Sequence, residues 1–386
     1  MKAAPRTICL LHPSDHDCER ETTLGATRYA QSRTNWRLIT RYFSVVEGVF
    51  EDVHGDGIIV CLGSPETEQR IRDLRLPTVS IFGPSGFPNV GLDEQQIGLA
   101  AAEHFIARGF FHFAYVGKGD SVWDLPRQQG YIRRLEELGF TCPCLDLAGV
   151  PQIDHEHSGH LQAVGRFLAH LPKPLAVFGG NDILALEVIN ACKLHRQAVP
   201  GNVAVLGVDN IWRCELIKPQ LSSIVRPVEA MAFKAAEMLD AMLDRRIPIS
   251  ASAGEPWPPK LLLPPLQTIL RASTDTYASP DRDIVRAIEY MRKNLGQLSG
   301  VGEIADHVAM SRRTLEHRFE KALGRGPGEE LRRQQIEKAR ELLGTTRLTV
   351  EEIGRLCGFA ASASFVAAFH RIERITPGAY RRSLGT

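Results

Sequence analysis

Short apolar runs alternate with amphipathic stretches from residue 7 to about residue 245. The runs Thr7–Leu11, Gly57–Leu62, Thr78–Phe82, Phe113–Gly117, Leu175–Gly179 and Val203–Val208 have the length and β-rich content of strands. Between them, helical periodicity covers Arg20–Ser32, Glu94–Arg108, Arg127–Leu138, Ser158–His170, Asp182–His195 and Val228–Leu243. Strands that are apolar nearly throughout, separated by helices, predict parallel sheets buried on both faces and joined by right-handed crossovers. About 270 residues hold two such α/β lobes. The stretch Ser250–Pro265 is rich in Pro, Ser, Ala and Gly, with Lys260–Leu263 as a last strand, and Arg271–Ser279 is a polar linker. Ser279-Pro280 then predicts a helix start, with Ser as N-cap and Pro at the first helical position. Everything beyond is helical. The chain thus divides into a two-lobed α/β domain over 1–272, a linker over 273–280 and an all-α domain over 281–386.

The all-α part contains a repeat. Ile304-Ala305-Asp306-His307-Val308-Ala309-Met310-Ser311, with Leu315 and Phe319, matches Ile353-Gly354-Arg355-Leu356-Cys357-Gly358-Phe359, with Ser362, Phe365 and Phe369. In each copy a short helix leads through a turn to a second helix capped by Ser311 or Ser362. Thr349-Val350-Glu351-Glu352 has capping-box spacing. This is helix-turn-helix logic twice over, one helix bracing and the next presented to the DNA major groove. A linking helix over Pro327–Leu343, with Leu331, Ile336, Ala339, Leu342 and Leu343 inward, can hold the two reading helices about one DNA turn, roughly 34 Å, apart. On the first reading helix Arg312, Arg313, Glu316 and His317 face outward, and an arginine there can pair with guanine. On the second, Ser362, Ala363, Ser364, Val366 and Ala367 are small or apolar and predict shape and methyl contacts. Arg371 and Arg374 lie nearer the phosphates.

Charge supports this division. Residues 281–386 hold 19 Lys+Arg against 14 Asp+Glu, while the remainder holds 27 against 31, so a basic module follows an acidic body. The modest excess and the lack of basic tails count against an architectural binder that ignores sequence. The apolar run Ile8–Leu11 is too short for a signal peptide, and no run of about 18 apolar residues predicts a membrane span. Eight scattered cysteines, with Cys142 and Cys144 the one close pair, predict a reducing, cytoplasmic setting and no metal or other cofactor. Asp154-His155-Glu156-His157 with His160 reads as a loop entering a helix. GxSxG, P-loop and GxGxxG motifs are missing, which argues against a sugar-acting enzyme with accessory helices.

Ile353, Cys357-Gly358-Phe359, Ser364-Phe365, Phe369, Thr376-Pro377 and Tyr380-Arg381 carry a resemblance to the arabinose-regulator (AraC) family of DNA-binding domains. His370 and Arg374-Ile375 depart from its usual pattern. The α/β part resembles the sensor core of the lac-repressor family and of periplasmic sugar-binding proteins. Val90-Gly91-Leu92-Asp93, Gly179-Gly180-Asn181-Asp182-Ile183-Leu184-Ala185, Leu206-Gly207-Val208-Asp209-Asn210 and Pro219–Ile224 carry that likeness. The lac-repressor family places its DNA-binding helices first, whereas here they come last.

The resemblances imply a ligand-responsive regulator, an activator by family likeness, that acts as a homodimer on double-stranded promoter DNA and with RNA polymerase. Its effector would be a monosaccharide, a pentose such as xylose, in the cleft at the carboxyl ends of the strands. Asp209 is the first candidate for holding hydroxyls, followed by Asn181 and Asp182, for which helix capping is the rival role. Arg127 matches a ligand-contacting arginine of the family. Trp123, Trp212 and Phe82 could stack on a sugar ring. A non-sugar effector is the alternative.

Overall fold

The computed structural model describes residues 5–13, 18–32, 35–44, 49–50, 52–61, 65–82, 86–150, 159–246, 260–278, 281–298 and 300–383. The first lobe begins with β1 (Arg6–Pro13), α1 (Glu19–Gln31), β2 (Trp36–Ser44), β3 (Val49–Phe50) and β4 (Gly57–Cys61). It continues through α2 (Pro65–Asp73), β5 (Thr78–Ile81) and β6 (Asn89–Leu92), after which α3 (Glu94–Ile106) opens the second lobe. Then follow β7 (Phe113–Gly117), α4 (Asp124–Glu137), β8 (Cys144–Asp146), α5 (Gly159–Ala169), β9 (Leu175–Gly179) and α6 (Asp182–Leu194). The α/β part closes with β10 (Val203–Val208), α7 (Arg213–Leu216), β11 (Ser222–Ile224), α8 (Val228–Leu243), β12 (Lys260–Leu263), β13 (Thr268–Ile269) and a 3-10 turn, Ala272–Thr274.

One sheet has the order β12-β6-β5-β4-β1-β2-β3 and the other β13-β11-β10-β9-β7-β8. The ladders are parallel except β2 with β3 and β11 with β13. The chain passes between sheets after β6, after β11 and again between β12 and β13, so three connections join the lobes. The central strands β4, β5, β7, β9 and β10 are buried at every position, as their unbroken apolar sequences demand. Apolar cores fill both sides, one built around Ile8, Leu10, Phe105, Tyr131 and Phe178 and another around Val177, Leu184, Val188 and Val205.

Six of the strands follow the apolar runs; β2, β3, β6, β8, β11 and β13 escaped them. β2 lies between β1 and β3 with Phe43 its single fully buried side chain, so its residues RLITRY never show a buried-strand pattern. β8 and β11 are three residues long, too short for any periodicity to register. Lys260–Leu263 is a strand, as expected, added parallel to β6.

The all-α part comprises α9 (Arg282–Lys293), α10 (Val301–His307), α11 (Arg312–Leu323), α12 (Pro327–Thr345), α13 (Val350–Leu356), α14 (Ser362–Glu373) and α15 (Pro377–Ser383). Two predicted caps need correction. Ser279 and Pro280 lie outside the described residues, and Asp281 is the N-cap of α9, its carboxylate accepting from the amides of Asp283 and Ile284. Ser362 is the first helical residue of α14, and Ala361 holds the N-cap position without a side-chain bond. Ser311 does cap α11, accepting from the Thr314 amide at 3.1 Å, and Thr349 with Glu352 forms a full capping box on α13.

The two units share their irregular points as well as their helices. The turn between helices carries a left-handed residue in each, Ala309 (φ 53°) and Gly358 (φ 83°). Both reading helices also end on a left-handed residue, Gly324 (φ 65°) and Arg374 (φ 61°). Arg374 thus occupies a helix stop of the kind that glycine favours. Each unit has its own core, Ile304, Leu315 and Phe319 under α9 and Ile353, Phe365 and Phe369 under α12.

Candidate functional site

The carboxyl ends of the two sheets face each other, and backbone strain gathers there. Phe82, just after β5, has φ 66°, and Asp209 and Asn210, just after β10, have φ 114° and 56°. Non-glycine residues tolerate such angles where surrounding structure enforces them, often at ligand sites. Arg226, after β11, ties these points together. Its Nε is 2.8 Å from Asp209 Oδ1, an ion pair without hydrogen-bond alignment, and its guanidinium lies 5.0 Å over the Phe82 ring.

Arg127 forms a second bridge. Its buried guanidinium donates through Nε to Glu94 Oε2 at 2.8 Å, adds a further bond from the neighbouring nitrogen, and donates to the Gly180 carbonyl. It also lies 4.9 Å over the Trp123 ring. Glu94 opens α3, which packs along α4, and Gly180 follows β9, so the arginine ties the start of α3 to the carboxyl end of the second sheet. Burial pushes the Glu94 carboxyl up from its ordinary value, and Arg127 pulls against that shift.

Asn181 and Asp182 face local duties. Asn181 caps α6, accepting from the Leu184 amide at 2.9 Å. Asp182 is fully buried, with Oδ1 accepting from Ser223 at 2.7 Å and Oδ2 from the Ile211 amide at 2.9 Å and the Cys214 thiol at 3.1 Å. The loop that carries Asp209 is thereby stapled to α6 and β11. Trp212 is largely exposed, with Arg213 5.5 Å over its ring. Asp154, His155, Glu156 and His157 lie outside the described residues, while His160 is held between Glu187 (2.8 Å) and the Val150 carbonyl (3.0 Å).

Burial, reinforced by the charge of Asp209, pushes the Asp182 carboxyl up to about 7 despite its three donors. Its folded value therefore lies above the unfolded one, near 3.9. The stability it lends is complete below about pH 4 and fades as pH climbs to about 7, by at most about 1.4 kcal/mol per pH unit. Denaturant midpoints measured from pH 5 to pH 8 should fall for the parent chain, and Asp182→Asn should flatten that decline. An unchanged slope in the variant would assign the pH dependence elsewhere.

Sequence reasoning missed Arg226 and Glu94. Each lies within two residues of a quoted motif, but its role depends on a partner 17 or 33 positions away. Of the outward residues expected to read DNA, Arg312, Arg313, Glu316 and His317 are exposed on α11, and Ser362, Ala363, Ser364 and Arg371 on α14. Leu315, Phe319, Phe365 and Phe369 are fully buried on the opposite sides. Arg312 pairs with Glu316 one turn on at 2.9 Å, an exposed link that a phosphate or base could displace at little cost.

The two parts meet at a polar joint. Arg108, beyond the end of α3, donates to Glu337 of α12 at 3.0 Å, and Arg325 donates to the Ala107 carbonyl. Buried Glu330 accepts from Arg325, Tyr277 (2.9 Å) and Gln334 (3.0 Å), which keep its carboxyl below the ordinary value although burial opposes them. A cavity of about 120 Å³ lies in this joint, lined by Arg108, Tyr277, Glu330, Gln334, Glu337 and Arg340 among others.

Residues 102–274 match the family described as periplasmic binding protein-like domain, and residues 304–383 match the helix-turn-helix domain family. The chain is a DNA-binding transcription regulator that joins a periplasmic-binding-protein-like sensor to an AraC-type double helix-turn-helix domain. It is similar over its whole length to the xylose operon regulatory protein of Escherichia coli K12, 26% identical over 97% of this chain and 96% of that one. The protein of the same name from Haemophilus influenzae is 24% identical, covering 97% of both chains. Among solved structures, the xylose-binding transcription activator xylR is similar with a TM-score of 0.62 and 25% identity, over 99% of both chains. No helix among the described residues is long and apolar enough to cross a membrane.

Proposed function

We propose that the chain is a cytoplasmic, xylose-responsive activator, working as a homodimer that recruits RNA polymerase to promoter repeats. In this reading 1–272 senses, 273–280 links and 281–386 reads DNA, and the ligand is bound without turnover. The observation that carries it is the pair of arginine clasps at the cleft, Arg226–Asp209 reaching over Phe82 and Arg127–Glu94 beside Trp123, in a chain similar end to end to xylose operon regulators. A sugar needs directed donors and acceptors around its hydroxyls and an apolar face for its ring. The Asp209 carboxylate supplies an acceptor, Arg127 and Arg226 supply donors, and the two aromatic rings supply faces. Asn181 and Asp182 shape the loops that present these groups.

A ligand that binds one lobe arrangement better than another shifts the balance by that difference and no more. Calorimetric titration of the full chain with xylose, arabinose and ribose tests the reading. Xylose is expected to bind, and at a hundred times its Kd to stabilise the chain by about 2.7 kcal/mol. Asp209→Ala should abolish both effects while leaving the unliganded chain folded. Absence of any response to the three pentoses at millimolar concentration would sink the sugar assignment.

A further inference from the structure

A group outside these bridges draws the strongest conclusion. His12 near the end of β1, Cys18 at the start of α1 and Cys61 at the end of β4 converge in the first lobe, each at most 5% exposed. Cys18 Sγ and Cys61 Sγ are 3.8 Å apart, His12 Nδ1 is 3.7 Å from Cys61 Sγ, and one ligand atom from each of the three lies within 4.8 Å of the other two. His12 Nε2 is buried with no hydrogen-bond partner among the described residues. Two thiols and an imidazole nitrogen brought together inside the protein are the donor set of a thiophilic metal ion, with Nδ1 the nitrogen that approaches Cys61.

We propose that His12, Cys18 and Cys61 form a binding site for a thiophilic divalent cation of the zinc class. Zinc bonds of about 2.3 Å to sulfur and 2.0–2.1 Å to nitrogen give tetrahedral edges of about 3.8 Å between sulfurs and about 3.6 Å between sulfur and nitrogen. The Cys18–Cys61 and His12–Cys61 separations of 3.8 and 3.7 Å match those edges, and His12 and Cys18 lie within 4.8 Å of each other. Charge balance also favours the ion. Binding releases one proton from each thiol, so two thiolates, a neutral imidazole and the dication leave the buried cluster with its original net charge. Three protein donors leave a fourth position for water or another ligand. Because β1 and β4 end at the face where the lobes meet, occupation of the site would brace the sensor's first lobe beside Phe82. Linear spacing hides this site, since the two cysteines are 43 residues apart and form no zinc-type pair.

The test uses the full chain, reduced and stripped with a chelator, titrated with Co²⁺ and then Zn²⁺. One equivalent of Co²⁺ should produce thiolate-to-cobalt charge-transfer absorption, and Zn²⁺ should bleach it. Cys18→Ser and Cys61→Ser should each weaken Zn²⁺ binding by more than about 100-fold, beyond the loss caused by removing a supporting partner. His12→Gln keeps both sulfurs, so it should retain the absorption while requiring excess metal. The double variant Cys142→Ser/Cys144→Ser removes the other close thiol pair and should behave like the parent. The proposal is overturned if the parent chain shows no charge transfer at one equivalent. It is equally overturned if the absorption survives Cys61→Ser and vanishes in the Cys142/Cys144 variant.

Discussion

Gly358→Ala is expected to unfold the second reading unit and to cost the chain more than tenfold in affinity for the DNA upstream of its own gene. Gly358 sits in the turn between α13 and α14 at φ 83°, where an L side chain costs about 1–2 kcal/mol. A Cβ there would also lie 2.3 Å from the Leu295 carbonyl oxygen, a backbone atom with no freedom to swing aside. Gly324 provides the control. It shares the left-handed conformation (φ 65°), yet an added Cβ would meet nothing within 4 Å. Gly324→Ala should therefore cost only about 1 kcal/mol and leave binding within about twofold. Fluorescence anisotropy on an upstream duplex and a scrambled one, at fixed salt, measures both variants. Equal behaviour of the two alanines would show that the Leu295 contact does not hold the turn.

Arg127→Met should destabilise the sensor by about 3–5 kcal/mol, the usual result of leaving one partner of a buried ion pair alone. Glu94 would remain largely buried without its counter-charge, and the Gly180 carbonyl would lose a donor. Adding Glu94→Gln removes the stranded charge, so the double variant should recover more than half of the loss. Chemical denaturation of the parent, both single variants and the double variant closes the cycle. A double variant no more stable than Arg127→Met would mean that Arg127 acts through Trp123 packing and the Gly180 bond, with the ion pair secondary.

Architecture was largely legible because it follows from runs of apolar residues long enough to register. The central strands had to be buried on both faces, and a fifty-residue repeat of Leu315, Phe319 and Ile304 onto Phe365, Phe369 and Ile353 had to be two small cores. What remained hidden depends on geometry across large sequence separations. β2 carries polar residues that never reveal a strand, and Arg226 finds Asp209 and Phe82 only once the lobes face each other. Asp182 shows the limit of motif reading. It stands in a motif of the resembled family and is wholly enclosed by Ser223, Ile211 and Cys214. A carboxylate in a quoted motif can therefore build the loop beneath a ligand instead of touching it. Caps were misjudged by one or two residues at Ser279 and Ser362, where a neighbouring Asp or Ala took the terminal position.

The helix α3 begins at Glu94, clasped by Arg127, and just beyond its other end Ala107 and Arg108 grip the DNA-binding half through Arg325 and Glu337. Thirteen helical residues make a stiff strut of about 20 Å. Tilting such a strut by about 5° at its Glu94 end swings the other end by about 1.7 Å, enough to make or break a hydrogen bond. A displacement of that size falls on the contacts of Ala107 and Arg108 with Arg325 and Glu337, and so on α12, the helix that holds both reading units.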